Sequence, residues 1–352
     1  MKALTSRFAE LKIDALIVSA LPNVRYLTGF TGSNGLVVVT PAGLTLFTDP
    51  RYTIQAAQET SGCAVKTAKK PLVTEAAALI ARRKLNRIGF ERGRMMFDAW
   101  ERLKEALPLG ASLKPVGAVV EELRMVKTPE EIARIRSSVI TNSLAFEEVL
   151  DRIRAGVTET EIAAELEFQM RRHGAEKPSF DTIVAAGERS ALVHAHPSAE
   201  AVGVNQLLLI DMGATRNGYV SDMTRTLFMG KPGRKVRRMY DSVLKAQLAG
   251  IDAVREGATA EQVDRAARRV LRGEGLEKAF VHSTGHGLGL EIHEAPRLGK
   301  KDQTRLKAGM AITIEPGVYI EGFGGIRIED TVVVTAGGCD VLTPTTKELI
   351  AL

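Results

Sequence analysis

The stretch Leu207–Asp222, LLLIDMGATRNGYVSD, puts two aspartates, Asp211 and Asp222, on either side of a turn. Asn217-Gly218 between apolar, β-rich runs is a hairpin signal. With pairing symmetric about a centre between Arg216 and Asn217, the two carboxylates face each other across the ladder, their Cβ atoms roughly 4.5–5.5 Å apart. Like charges held that close on one sheet face repel unless a cation sits between them. A divalent metal is the natural candidate.

Two later strands repeat this logic. Apolar residues alternate through Ile312, Ile314, Pro316, Val318 and Ile320, and again through Ile326, Ile328, Val332 and Val334, interrupted only by Asp330. The opposite face carries Glu315 on one strand and Arg327 and Glu329 on the other. A three-residue loop, Glu321–Phe323, sets Glu315 opposite Glu329. Histidine supplies a further ligand type: three of the six fall in HSTGHGLGLEIHEAPRL, and His286 lies between Gly285 and Gly287, where a backbone and a ligand can approach closely. Four carboxylates and an imidazole form a hard, oxygen-rich set that suits a pair of Mn²⁺, Co²⁺ or Zn²⁺ ions better than a thiolate zinc site.

The remainder of the 352 residues fits a soluble two-domain protein. Up to about residue 120, short apolar runs alternate with amphipathic stretches, which predicts an α/β domain. Strands are expected at 14–19, 36–40, 44–48, 64–67, 87–90 and 112–116, and helices at 2–11, 52–59, 72–84 and 97–107. A boundary near Leu123–Lys127 divides residues 1–122 from 123–352. Two capping boxes, Thr128/Glu131 and Thr158/Glu161, then open long helices, the second ending at His173-Gly174. Helices at 236–255 and 259–272 and long strands at 207–213, 219–228, 309–320 and 325–335 complete an α+β second domain.

Competing functions have little support. The net charge of +6 is scattered along helical stretches beside acidic residues, without interleaved aromatics, so no nucleic-acid partner is expected. No apolar run approaches the ~20 residues of a membrane span, and the charged N-terminal stretch does not read as a secretory leader, so a cytoplasmic location is expected. Cys63 and Cys339 form no CxxC motif. GHGLG lacks the GxGxxG spacing, HEAP lacks the second His of HExxH, and there is no P-loop or GxSxG elbow.

IDMGA…GYVSDMTRT, HSTGHGLGLEIHE, TIEPGVY and GIRIEDTVVV together resemble the metal-ligand phrases of the pita-bread metallopeptidases. That family includes methionine aminopeptidases, Xaa-Pro aminopeptidases and Xaa-Pro dipeptidases (prolidases). NVRYLTGF and TDPRY extend the likeness to the N-terminal domain of the proline-specific branch. The resemblance implies an α/β N-terminal domain followed by an α+β pita-bread (creatinase/aminopeptidase-like) catalytic domain. Asp211, Asp222, His286, Glu315 and Glu329 would hold two divalent metal ions, Mn²⁺ first and Co²⁺ or Zn²⁺ as alternatives, with Asp222 and Glu329 bridging. Glu315 would also shuttle a proton, His194 would stabilise the oxyanion, and His293 and Arg297 would meet the substrate's carbonyl and carboxyl-side groups. Arg327 divides between substrate contact and a salt bridge to a ligand carboxylate. His282 is expected to support the site from behind, and His196 has no counterpart. The phrase HEAP departs from the family's usual HEEP at Ala295.

TGFTGSNG looks like the small Xaa-Pro aminopeptidases, so the expected activity is release of an N-terminal residue from peptides with proline second. The alternative is an Xaa-Pro dipeptidase, and a more distant one a non-catalytic binding module. A homodimer is also implied.

Overall fold

The computed structural model describes residues 2–352, and the chain divides into two units, Met1–Arg124 and Met125–Leu352. In the first, β1 (Ala15–Val18), β2 (Gly35–Thr40), β3 (Gly43–Thr48), β4 (Cys63–Thr67), β5 (Arg87–Glu91) and β6 (Ser112–Val116) form one mixed sheet ordered β4-β3-β2-β1-β5-β6. Alternate residues serve opposite faces. Leu16, Val18, Val37, Val39 and Leu46 pack with Leu4, Phe8, Val24 and Val120 on one side. Ala15, Ile17, Leu36, Val38 and Phe47 pack with Val73, Ala77, Ile80 and Leu103 on the other. A sheet covered on both faces explains why its inner strands read as unbroken apolar runs.

All six expected strands are present in this unit, but two helices, Leu21–Thr28 and Val119–Met125, were not anticipated. The first carries Pro22 in its opening turn and ends on Gly29 at φ 83°, ordinary start and stop signals inside the NVRYLTGF phrase. The helix expected over 2–11 is two short ones, Lys2–Thr5 and Phe8–Leu11.

In the second unit both expected capping boxes form, opening helices Pro129–Leu150 and Glu159–Arg172. A third, Thr259 with Gln262, opens Ala260–Gly273. Side-chain caps of this kind contribute about 0.5–2 kcal/mol each. β7 (Lys177–Pro178), β8 (Ile183–Ala186), β9 (Gln206–Met212), β10 (Ala214–Arg216), β11 (Tyr219–Val220) and β12 (Met223–Met229) build two three-stranded sheets, β12-β9-β8 and β11-β10-β7. The first pair of helices buries Phe146, Leu166 and Met170 against Leu208, Ile210 and Leu227 of β9 and β12.

β13 (Gly285–Gly287), β14 (Glu294–Leu298), β15 (Ala311–Ile314), β18 (Asp330–Val334) and β19 (Cys339–Val341) form a five-stranded sheet, while β16 (Gly317–Ile320) and β17 (Gly324–Arg327) form a separate hairpin. Helices Arg234–Ala253 and Ala260–Gly273 cover these strands through Val243, Ala267 and Leu271 against Val318, Ile326 and Ile328.

Three strands expected to be continuous are interrupted. The breaks fall at Ser221–Asp222, Glu315–Pro316 and Ile328–Glu329. At the second, Pro316 has no N–H for a ladder. At the third, the Glu329 N–H crosses to the Thr224 carbonyl of the other sheet instead.

Candidate metal centre

The hairpin register differs from the sequence expectation by two residues. Asn217 and Gly218 both have positive φ, 52° and 74°, so together they form the two-residue loop itself. Arg216 therefore pairs with Tyr219, and Asp211 faces Thr224 rather than Asp222. Asp222 lies diagonally across, on the same face as Asp211. The other register agrees with expectation. Ile314 pairs with Asp330 on one side and Gly317 with Arg327 on the other, so Glu315 and Glu329 stand opposite each other in the gap between the two ladders.

His286 enters from β13. A Cβ on Gly285 would lie 1.9 Å from the Thr313 carbonyl oxygen, and one on Gly287 2.3 Å from that of Ala295. Only glycine lets the flanking strands close this tightly. His286 Nδ1 lies 3.0 Å from the Gly287 carbonyl, to which it donates, leaving the Nε2 lone pair for the site. That nitrogen is 3.5 Å from Asp222 Oδ2 and 3.4 Å from Glu315 Oε1. Ligand atoms of Asp222, His286 and Glu329 all lie within 4.8 Å of one another.

These carboxylates are buried together, which is costly without a cation. Burial, then repulsion from Asp211 and Glu315, pushes Asp222 well above the usual carboxylate range. Burial, then Asp222 and Glu315, does the same to Glu329. Asp211 is also raised by burial, although the Arg327 guanidinium pulls the other way. Asp211 Oδ1 and Glu329 Oε1 are buried without any hydrogen-bond partner among the described residues. Two orphaned carboxylate oxygens aimed into a nest of like charges fit a divalent-metal centre.

A hydrogen-bonded shell holds these groups. Arg327 Nη2 donates to Asp211 Oδ2 at 2.6 Å, its Nε to Thr224 Oγ1 at 3.0 Å, and its Nη1 to the Tyr319 hydroxyl at 2.6 Å. Thr224 passes the chain on by donating to Glu329 Oε2 at 2.6 Å. The Tyr319 hydroxyl donates in turn to His282 Nε2 at 2.9 Å. Burial pushes the Tyr319 phenol up to about 12, so it stays protonated. Thr313 Oγ1 accepts from the His286 N–H and donates to Glu315 Oε1.

Thr224, Tyr319 and Thr313 are functional neighbours that no motif in the sequence marks. Each lies two or four residues from a ligand on the same strand face, so the alternation that revealed the carboxylates is the signal that points to them. Arg327 lines the cavity at the centre, and its guanidinium is engaged by Asp211, Thr224, Tyr319 and the Val193 carbonyl, which favours the salt-bridge alternative over substrate contact.

The centre opens into a cavity of about 660 Å³ whose lining includes His194, His196, His293 and Arg297. The His293 ring meets that of His286 at a centroid distance of 4.4 Å. Its loop is fixed by Glu294, whose Oε1 accepts from the Leu290 and Glu291 N–H groups while Oε2 pairs with buried Lys127 at 3.1 Å. Arg297 is opposite His286 in the β13–β14 ladder. It is exposed and has no ion pair among the described residues. His196, which matches no residue of the family phrases, lines this cavity with His194.

Two family models match the chain: Metallopeptidase family M24 over residues 133–336, and the Creatinase/Prolidase N-terminal domain over residues 1–126. An Xaa-Pro dipeptidase of Pyrococcus furiosus is 39% identical over 342 residues, 97% of this chain and 96% of that protein. The solved structure of an Xaa-Pro dipeptidase from Bacillus anthracis superposes with a TM-score of 0.97 at 39% identity, covering 100% of this chain and 98% of that one. That of an X-Pro aminopeptidase from Thermotoga maritima gives a TM-score of 0.92 at 36% identity, covering 98% and 100%. The α/β domain followed by an α+β pita-bread domain is thus the architecture of this protein and of its relatives. The protein belongs to metallopeptidase family M24, with a creatinase/prolidase-type N-terminal domain.

Proposed function

We propose that this protein is a dinuclear metallo-exopeptidase that cleaves the bond between a first residue and a following proline, with Xaa-Pro dipeptides as its main substrates. The observation carrying the metal chemistry is the buried cluster of Asp211, Asp222, His286, Glu315 and Glu329 with its two orphaned carboxylate oxygens. Divalent ions held there, Mn²⁺ first and Co²⁺ or Zn²⁺ next, would polarise the scissile carbonyl and acidify a water. Glu315 accepts a proton at its carboxylate and returns it to the departing proline nitrogen. His194 and His293, on the cavity wall, donate to the carbonyl oxygen as it gains charge. Arg327 touches no substrate and instead keeps Asp211 and Thr224 in place.

A dipeptide presents a free carboxylate immediately after proline, and Arg297 offers it an unpaired guanidinium at the cavity edge. The names of several relatives point the same way, and they move the first choice from the aminopeptidase expected from TGFTGSNG to the dipeptidase. The aminopeptidase remains the second reading, favoured by the X-Pro aminopeptidase structure and by open space beyond Arg297. The deciding experiment compares Mn²⁺-loaded protein on Ala-Pro and Ala-Pro-Ala, before and after chelation. Faster turnover of Ala-Pro, abolished by chelation and restored by Mn²⁺, is expected. Cleavage of the tripeptide alone would reverse the choice, and chelation-resistant cleavage would sink the metal mechanism.

A further inference from the structure

A second cavity, of about 980 Å³, meets the first at His282, Ser283 and Arg297, which line both. Its lining carries five cationic side chains against two carboxylates. The charges are not equivalent. Arg268 is taken up by buried Asp264, and Glu277 is held by both Arg272 nitrogens, Nε and Nη2. Asp302 accepts the Thr304 N–H. Lys278, Lys300 and Lys301 are exposed and, like Arg297, have no ion pair among the described residues. The wall next to Arg297 therefore carries an excess of positive charge, only partly offset by Glu277, which interacts with Lys300, and by Asp302, although the metal centre itself is acidic.

We infer that this cavity is a tail subsite that selects peptides with acidic residues after the proline. The inference rests on the second reading above, cleavage before proline in peptides of three or more residues, which brings the chain after the proline to Arg297. A chain continuing past Arg297 passes into this cavity, and Lys278, Lys300 and Lys301 meet its side chains and terminal carboxylate there. Exposed ion pairs contribute roughly twofold to fivefold each in affinity and weaken as salt screens them. Two or three together give about a tenfold preference at low ionic strength.

The test measures binding separately from cleavage. Ala-Pro-Glu-Glu and Ala-Pro-Lys-Lys, made non-cleavable by reducing the Ala–Pro carbonyl to a methylene, are titrated calorimetrically into the Mn²⁺-loaded protein. The acidic peptide should bind about tenfold more tightly at low salt, with the difference closing at high salt. In the K278E/K300E/K301E protein the preference should invert, with a melting curve like the parent's. Equal affinity for the two peptides, or a preference that survives the triple substitution, would overturn the inference. Failure of that reading shows itself separately, as absent hydrolysis of Ala-Pro-Ala.

Discussion

Among single residues, Asp222 and Arg327 separate holding a metal from holding its ligands. Asp222 lies among the other charged groups, 3.5 Å from the imidazole of His286 and near Asp211 and Glu315. Asp222→Ala should reduce the Mn²⁺ retained after dialysis, read by elemental analysis, and reduce Ala-Pro turnover by at least about a hundredfold. Full metal retention by that variant would remove Asp222 from the ligand set. Arg327→Lys keeps the charge but cannot reach Asp211, Thr224 and Tyr319 at once. It should weaken Mn²⁺ binding by roughly 10- to 100-fold in a metal titration, while substrate affinity of the saturated enzyme changes little. A change confined to substrate affinity would return Arg327 to the substrate-contacting role. The difference between the two residues was only half visible in the sequence. Alternation puts Arg327 on the ligand face, but nothing in the chain says that its three guanidinium nitrogens are each already engaged by protein groups.

At the level of elements, the strands were legible and their interruptions were not. The apolar alternation through Ile312–Ile320 and Ile326–Val334 is real and sets the Glu315/Glu329 opposition, because the ladders on either side keep one register. What alternation cannot show is that the strands break at Asp222, Glu315 and Glu329, where the Glu315 N–H turns to the Thr284 carbonyl and the Glu329 N–H to that of Thr224. The Asp211 register failed for a different reason. The centre of a type I′ loop lies between Asn217 and Gly218, and an offset of one residue in that centre moves every cross-strand partner by two. Asp330 is the one polar interruption in that apolar face, and it has a structural partner: Arg225 on β12 donates to Asp330 Oδ1 at 2.8 Å, to the Glu329 carbonyl, and to the carbonyls of Thr345 and Thr346. Arg225 thereby ties the chain's last segment to the strand break that carries Glu329. Arg225→Ala leaves a buried carboxylate without its main partner and should cost about 3–5 kcal/mol in denaturant unfolding. The R225M/D330L pair, which removes both charges, should recover much of that loss. A single substitution that costs under about 1 kcal/mol would show that Lys347 and Gln247, the other partners of Asp330, suffice.

Across the whole molecule, all five candidate metal ligands fall in Met125–Leu352, while Met1–Arg124 has its own sheet and two cores of its own. Metal binding stabilises only the state in which the ligands are assembled, by about 4 kcal/mol when the free ion is a thousandfold above its dissociation constant. For a unit of this size each kcal/mol moves the melting midpoint by roughly 2–4 °C, so saturating Mn²⁺ should raise it by on the order of 10 °C. The single tryptophan of the chain makes the assignment possible. Trp100 lies in helix Phe97–Ala106 of the first unit, against Phe97 and Lys104, so its fluorescence follows that unit's unfolding. Far-ultraviolet circular dichroism follows both units. If each unit unfolds on its own core, adding Mn²⁺ should shift the main circular-dichroism transition upward and leave the Trp100 midpoint unchanged, and chelation should reverse the shift. An equal shift in both signals would mean that the units unfold as one cooperative body and that the metal stabilises the whole chain. No shift in either, at Mn²⁺ concentrations that saturate hydrolysis, would mean that the carboxylate cluster is stable without its cations, contrary to the burial and repulsion that raise Asp222 and Glu329.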